Sequence, residues 1–440
     1  MASKQIAPPS KQANGPSLRA ISVVGYKSLV NKQRIEIRPL TILAGANSGG
    51  KSSIMQPILL LKQTLDAPYD PSSLLLGGPN VRLTSADQML SIKSKSKAKE
   101  FSIGFEIGDK KKVEFCFRQA PGKGLEIYSN TVTDGKTETV ISMDTDLTGI
   151  KEQLLVKRFG GNLPKKMLEE AELKVVRDRF FLVVEWLKQG FPVLHPGEEL
   201  AAMISGLIHV PGLRGNPERN YKTTAVGDTF PGTFEFYVAS VINHWQSSND
   251  ERLSQLGTQL EKLGLTWKVQ AKKQDETQVE LKVGRLPHSK QGGAHDLVSI
   301  ADVGFGVSQT LPVLVALLAA KPGQLVYIEQ PEIHLHPRAQ RALATIFAEA
   351  ARRGVIVIVE THSALLLSGI QTLVAKDELS PNLIKLHWFE RDPSGATKIT
   401  SADLDSTGAF GDWPEDFDEV ELASDNEYLS AAEAKLFGKI

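Results

Sequence analysis

The chain has 440 residues, 41% hydrophobic and 23% charged, a globular composition with room for two or three lobes. Its 51 basic and 51 acidic residues cancel, which excludes a global attraction to nucleic acid or an anionic membrane and leaves only local patches. The single cysteine, Cys116, excludes a disulfide framework and a thiolate metal site, and the longest apolar stretch, Leu311 to Ala320, falls short of the roughly 20 residues of a membrane span; a cytoplasmic location is expected.

The first 17 residues are polar and basic with no apolar centre, and read as a flexible tail rather than a signal peptide. RAISVVGYKSL and RPLTILAG, within 19–44, read as strands. A glycine-rich loop follows, then SSIMQPILLLKQTL, whose Ile54, Ile58, Leu61 and Leu65 recur at helical spacing. Residues 100–143 alternate as an antiparallel meander, with Lys110–Lys112 at a hairpin turn. Residues 150–210 are expected to be mostly helical. FEFYVASVINHW and ERLSQLGTQLEKLG read as helices, and WKVQAKK with TQVELKVGRL as a hairpin. From Val298 onward helices alternate with two almost wholly apolar strands, 324–330 and 354–362, the pattern of a parallel sheet covered on both faces. The stretch from Asp403 is acidic and turn-rich.

Gly45-Ala46-Asn47-Ser48-Gly49-Gly50-Lys51-Ser52 matches the full G-x-x-x-x-G-K-S pattern of a P-loop, between an apolar strand and an apolar helix. Glycines let backbone N–H groups wrap an anion, and the helix N-terminus adds further donors. Lys51 is expected on the β- and γ-phosphates of ATP, and the Ser52 hydroxyl on Mg2+. The strand QLVYIEQ ends in Glu329, where an open α/β sheet places its ligands, so Glu329 is expected to hold magnesium through water. Gln330 follows where related ATPases carry a glutamate base; glutamine orients water but takes no proton, so slow hydrolysis or a base from elsewhere is expected. Glu332 is the nearest base, or an acid that favours a helix dipole. His334 and His336 alone make weak metal ligands. His362, just past the strand GVIVIVETH, is expected to sense the γ-phosphate, with a purely structural hydrogen bond as the alternative.

GANSGGKSS, ADVGFGVSQTLPVLVALL, VYIEQPEIHLHP and VETHS together resemble the ABC-type ATPase head of the RecF, SMC and OLD proteins, and most of all a stand-alone bacterial group linked to phage defence, which also shows a late Trp-Pro like Trp413-Pro414. The resemblance covers residues 19–90 and 290–420. It implies an α/β fold, an ABC-type P-loop head with an antiparallel β subdomain and a helical insertion. The implied divisions are a tail at 1–18, an N-terminal lobe at 19–150, an insertion at 151–285 and a C-terminal lobe at 286–440. It implies a head-to-tail homodimer in which Gly304, Gly306, Ser308 and Gln309 cap the nucleotide of the opposite subunit. Leu335-His336-Pro337 resembles the loop that crosses such a dimer. Asn47, Ser48, Gly49, Gly50 and Ser53 join Lys51 and Ser52 as nucleotide contacts, with Lys27 and a downstream glutamine; among Gln56, Gln63 and Gln88 the choice is Gln88. The function implied is a slow ATPase switch controlling an effector such as a nuclease or toxin. The alternative is a RecF/SMC-like DNA-repair ATPase, with Lys93, Lys95, Lys97 and Lys99 as a nucleic-acid contact; since no aromatic residues interleave, those lysines read first as a solvated loop. Arg214 and Arg219 read as a phosphate- or carboxylate-binding pair or a surface turn. Asp403 and Asp405 read as part of a solvated tail rather than a nuclease site.

Overall fold

The computed structural model describes residues 18–93, 96–120, 124–159, 165–285, 296–411 and 430. Lys95, Trp413-Pro414 and most of the tail at 1–18 lie outside them.

The centre is a six-stranded sheet in the order Ile208–Val210, Leu325–Glu329, Ile356–Glu360, Leu40–Gly45, Ile384–Arg391, Thr397–Ala402. The first five run parallel and the last is antiparallel. The apolar runs predicted this: LTILAG is buried at every position, as a strand covered on both faces must be. The last two strands were not foreseen, and Ile208–Val210 enters the sheet from within the expected insertion.

Side chains alternate across the sheet. Leu40, Ile42, Val326, Ile328, Val357 and Val359 join one apolar core with the helices Phe305–Ala319, Pro337–Arg352 and Ala364–Ala375. Leu43, Leu325, Tyr327 and Ile358 face the other way, into a core shared with the helix Lys51–Asp66. Behind that helix lies a second, antiparallel sheet: Gln33–Glu36, Leu18–Val24, Glu100–Ile107, Lys111–Ala120, Gly124–Asp134, Thr137–Ser142. The predicted meander supplies four of its strands. The predicted hairpin is also present, pairing Val269–Lys273 with Gln278–Gly284. The whole is an α/β head with an antiparallel β subdomain.

The helical expectation for 150–210 is overturned. Helices Lys151–Phe159, Lys165–Glu170 and Glu198–Ser205 flank a three-stranded antiparallel sheet, Leu173–Asp178, Phe181–Trp186 and Phe191–Leu194. Paired β-branched residues, Val175 opposite Val184 and Val176 opposite Val183, suit a pleated surface. Arg179 makes the turn at φ 50°. Phe180 and Phe181 then meet Phe115 of the neighbouring sheet edge-on, at 5.3 and 5.6 Å between ring centres. Such contacts between distant segments decide a short apolar run whose periodicity alone does not. Among the described residues no helix is long and apolar enough to cross a membrane.

Candidate functional site

The parallel strands end on one edge of the sheet. Glu329 is the neighbour of Glu360, and Glu360 of Leu43, two residues before the glycine-rich loop opens at Gly45. Because strand side chains alternate, Tyr327, Glu329 and Glu360 all fall on the face that carries the Lys51–Asp66 helix. Register and period therefore place two carboxylates beside Ser52, at the start of that helix.

The loop is shaped by what surrounds it. Gly50 sits at φ 105° and Gly45 at φ 137°. A Cβ on Gly50 would lie 2.2 Å from the Thr397 hydroxyl, and one on Gly45 2.2 Å from the Phe389 carbonyl. Only glycine fits where the loop is pressed against the last two strands. Asn47 and Ser48 are exposed on its outer side, and the Ser48 carbonyl accepts a hydrogen bond from Arg391 Nε at 2.7 Å. Gly49 is buried, and the Ser53 N–H donates to the Gly50 carbonyl at 3.0 Å. Lys51 is buried and donates to the Gly45 and Ala46 carbonyls, both at 2.9 Å. Burial draws its pKa down, while the charges of Glu360 and Glu332 oppose that.

The Ser52 hydroxyl donates to Glu360 Oε1 at 2.9 Å, not to Glu329. The buried Tyr327 hydroxyl donates to Glu360 Oε2 at 2.8 Å. Burial and the neighbouring Glu329 charge push the Glu360 carboxyl up, against these hydrogen bonds. Glu329 is held differently. His209 Nε2 lies 3.1 Å from its Oε1, and the Gly212 N–H donates to Oε2 at 3.1 Å. Burial acts to raise its pKa, but the His209 and Gly212 hydrogen bonds win, and the carboxyl sits below its usual range. The Asn80 amide lies 3.0 Å from His209 Nδ1 while also donating to the Gly232 carbonyl. Nδ1 is thus the acceptor, and Nε2 donates to Glu329.

Gln330 adopts the left-handed conformation, φ 45°, and its N–H donates to the Glu360 carbonyl at 2.7 Å. Glu332 is buried. Its Oε1 accepts the His362 N–H at 2.7 Å, and its Oε2 has no hydrogen-bond partner among the described residues. Burial raises its pKa, with the His362 N–H and the Thr361 hydroxyl among the opposing contacts. His362 is half-buried; burial and the Lys51 charge lower its pKa, against a contact with the Gly45 backbone. Lys51, Glu332 and His362 are brought together from three separate parts of the chain.

Lys27 lies on a turn whose neighbour, Ser28, accepts a hydrogen bond from Thr397 beside Gly50. Lys27 Nζ meets Gln56 Oε1 at 2.5 Å, and burial lowers its pKa. Gln88 is close to Lys27 in the fold, since the Lys27 N–H donates to the Met89 carbonyl, but its exposed side chain is turned back to the Thr84 N–H. Gln63 is buried against the Leu75 and Val81 carbonyls. Gln56, rather than Gln88, is the glutamine in contact with Lys27.

Gly304 is exposed and caps the helix Phe305–Ala319. Gly306 faces the His334 carbonyl, Ser308 bonds its own turn at Phe305, and the Phe305 and His334 rings lie 5.6 Å apart. This turn therefore borders the loop that resembles a dimer-crossing segment. Gln309 departs from the group: it is buried, and its amide donates to the Arg214 and Gly215 carbonyls, so it is committed within its own chain. Arg214 is buried too, not on a surface turn, whereas Arg219 is exposed and paired with Asp302 at 2.7 Å. His336 caps the following helix through the Arg338 N–H. Lys97 is paired with Asp87, and Asp403 with Lys385 and Arg38. Asp405 closes a turn with Thr407 and Ala409.

Sequence reading assigned no role to Glu360, Tyr327, His209 or Arg391. Glu360 carried a signal, a carboxylate ending an apolar strand. The other three are positioned by distant segments.

A parallel sheet with a glycine-rich loop and helix at its carboxyl edge, a buried lysine inside that loop, and acids ending two neighbouring strands are the parts of a P-loop AAA domain. Residues 40–368 match the AAA_21 family, described as "AAA domain, putative AbiEii toxin, Type IV TA system", and the chain belongs to that family. No curated protein matches the chain. Solved structures similar to it include an Smc head bound to the C-terminal winged-helix domain of ScpA, at 13% identity and TM-score 0.48, covering 89% of this chain and 98% of that one. The SMC head domain of Thermotoga maritima matches at 10% identity and TM-score 0.41, over 88% and 100%. A Pyrococcus furiosus Smc head with an extended coiled coil, bound to the C-terminal domain of ScpA, matches at 12% identity and TM-score 0.44, over 88% and 96%.

Proposed function

We propose that this chain binds ATP with Mg2+ at Gly45–Ser52 and hydrolyses it slowly, as the switch subunit of an anti-phage defence system. The observation that carries the reading is the convergence of Lys51, Ser52, Glu329, Glu360, Glu332 and His362 at one sheet edge. Magnesium keeps several waters and takes one or two carboxylates together with phosphate oxygens. Ser52, Glu360 and Glu329 are the donors on hand, and a bound magnesium ion would supply neutralisation of phosphate charge.

Lys51 leaves its two carbonyl partners for the β- and γ-phosphates, with the loop N–H groups around them. Glu332 takes the proton of the attacking water. Its free Oε2 is an acceptor in a dry setting, and its raised pKa moves it toward working pH, where a base is most effective. Gln330 orients that water, and the neutral His362 ring donates to the γ-phosphate. Two copies act head to tail, with the Gly304–Ser308 turn reaching the opposite nucleotide, and the dimer controls a nuclease or toxin partner; the family description supports the toxin connection. The DNA-repair alternative draws no support from Lys97, whose charge is already paired.

The test is single-turnover hydrolysis by the wild type, Glu332→Gln and Gln330→Glu. The reading expects measurable wild-type turnover, loss in Glu332→Gln and a gain in Gln330→Glu. No wild-type hydrolysis with bound ATP·Mg2+ would overturn it.

A further inference from the structure

Arg214 is a buried cation whose four hydrogen bonds all go to main-chain carbonyls. Nε donates to Pro211 at 2.9 Å, Nη1 to Gln309 at 2.5 Å, and Nη2 to Glu329 at 2.8 Å and Gln330 at 2.9 Å. The Gln309 side chain answers, donating to the Arg214 and Gly215 carbonyls at 3.3 and 3.2 Å. The same loop sends the Gly212 N–H to Glu329 Oε2. A guanidinium has five donors in a flat fork and reaches carbonyls on three segments at once; an ammonium does not.

We propose that Arg214 is a positioning residue that ties the Gly304–Ser308 turn to the Glu329–Glu332 segment, so that the two move as one body. This rests on the reading that Gln330 and Glu332 act in hydrolysis. Gln330 is the point where the tie matters. A side-chain-bearing residue at φ 45° needs its conformation held, and Gln330 is held from both sides: its N–H by the Glu360 carbonyl, its carbonyl by Arg214. Gln309 lies one turn into the helix that Gly304 opens, so a shift of that turn is passed through the Arg214 fork to the Glu329 and Gln330 peptides. Burial lowers the Arg214 pKa to about 10, and Glu332, Glu235 and Glu329 support the charge, so the fork is intact at neutral pH.

The experiment uses the full chain with Arg214→Lys, Arg214→Ala and Gln309→Leu. Affinity for a fluorescent ATP analogue, single-turnover hydrolysis and amide hydrogen exchange across 304–309 and 329–333 are measured. Arg214→Lys is expected to keep analogue affinity within threefold, lose at least tenfold in hydrolysis, and exchange at least tenfold faster in both segments together. Gln309→Leu is expected to follow in the same direction with smaller changes. If Arg214→Ala does not fold, the other two variants carry the test. Hydrolysis within twofold of wild type, or faster exchange in one segment alone, overturns the proposal. If the wild type does not hydrolyse ATP, the exchange measurement decides by itself: a joint rise supports the tie, and anything else refutes it.

Discussion

Replacing Glu332 by glutamine separates chemistry from architecture at this site. Oε1 keeps its acceptor role toward the His362 N–H at 2.7 Å, and only the unpartnered Oε2 is exchanged for an amide. A positioned general base contributes roughly 10²–10⁴ in rate, or about 2.7–5.4 kcal/mol of barrier at about 1.36 kcal/mol per tenfold. Single-turnover hydrolysis followed by phosphate release should therefore fall at least a hundredfold, with ATP affinity within about threefold of wild type. The variant should not be less stable. Burial raises the Glu332 pKa in the folded state, so the folded protein holds a proton that the unfolded chain has already released. That contribution is full at low pH and is lost as pH rises through the window between the two pKa values. Glutamine has nothing to lose there, so its melting temperature should gain on wild type as pH rises above the ordinary carboxylate range. Hydrolysis within about fivefold of wild type would refute Glu332 as the base.

His209→Phe keeps the stacking on Tyr327, whose ring lies 5.5 Å away, but removes the hydrogen bond to Glu329. Partners that orient a metal-binding carboxylate are worth about 10–100-fold in metal affinity, so half-maximal Mg2+ for ATP-dependent stabilisation should rise about tenfold; an unchanged titration contradicts the role. His387 is fully buried, between Ser401 and the Glu36 carbonyl, and burial draws its pKa down to about 4. The unfolded chain then binds a proton near pH 6.5 that the folded one refuses, so stability is full above that pH and is lost as pH falls toward 4. Between pH 7 and pH 5 the loss is about 2 kcal/mol. Urea unfolding of His387→Gln should show a pH dependence flatter by that amount, and parallel curves would contradict it.

The site was legible where the chemistry is local. Gly45–Ser52 lies within one strand–loop–helix unit, so its residue types and spacing carry the whole phosphate-binding argument. Glu329 was legible because it ends an apolar strand. What escaped is what the sheet assembles. Glu360 and Glu329 become neighbours only through the parallel register of two strands 31 residues apart, Glu329 beside Glu360. His209 reaches Glu329 from 120 residues away, and Arg214 reaches Gln309 from 95. Gln309 illustrates the limit in the other direction. The family resemblance grouped it with the Gly304–Ser308 turn, but the helix rotation carries it inward to the Arg214 loop. The helical expectation for 150–210 failed for a related reason: its short apolar runs have no decisive period, and contact with Phe115 selects strands.

The central claim is that Lys51 and the loop around it hold ATP·Mg2+. The direct measurement is equilibrium unfolding of wild type and Lys51→Ala with and without ATP·Mg2+. At a ligand concentration one hundred times Kd, binding to the folded state alone stabilises by about 2.7 kcal/mol, and this should appear in the wild type and largely vanish in the variant. A wild type that gains nothing, or a variant that gains as much, would contradict the account.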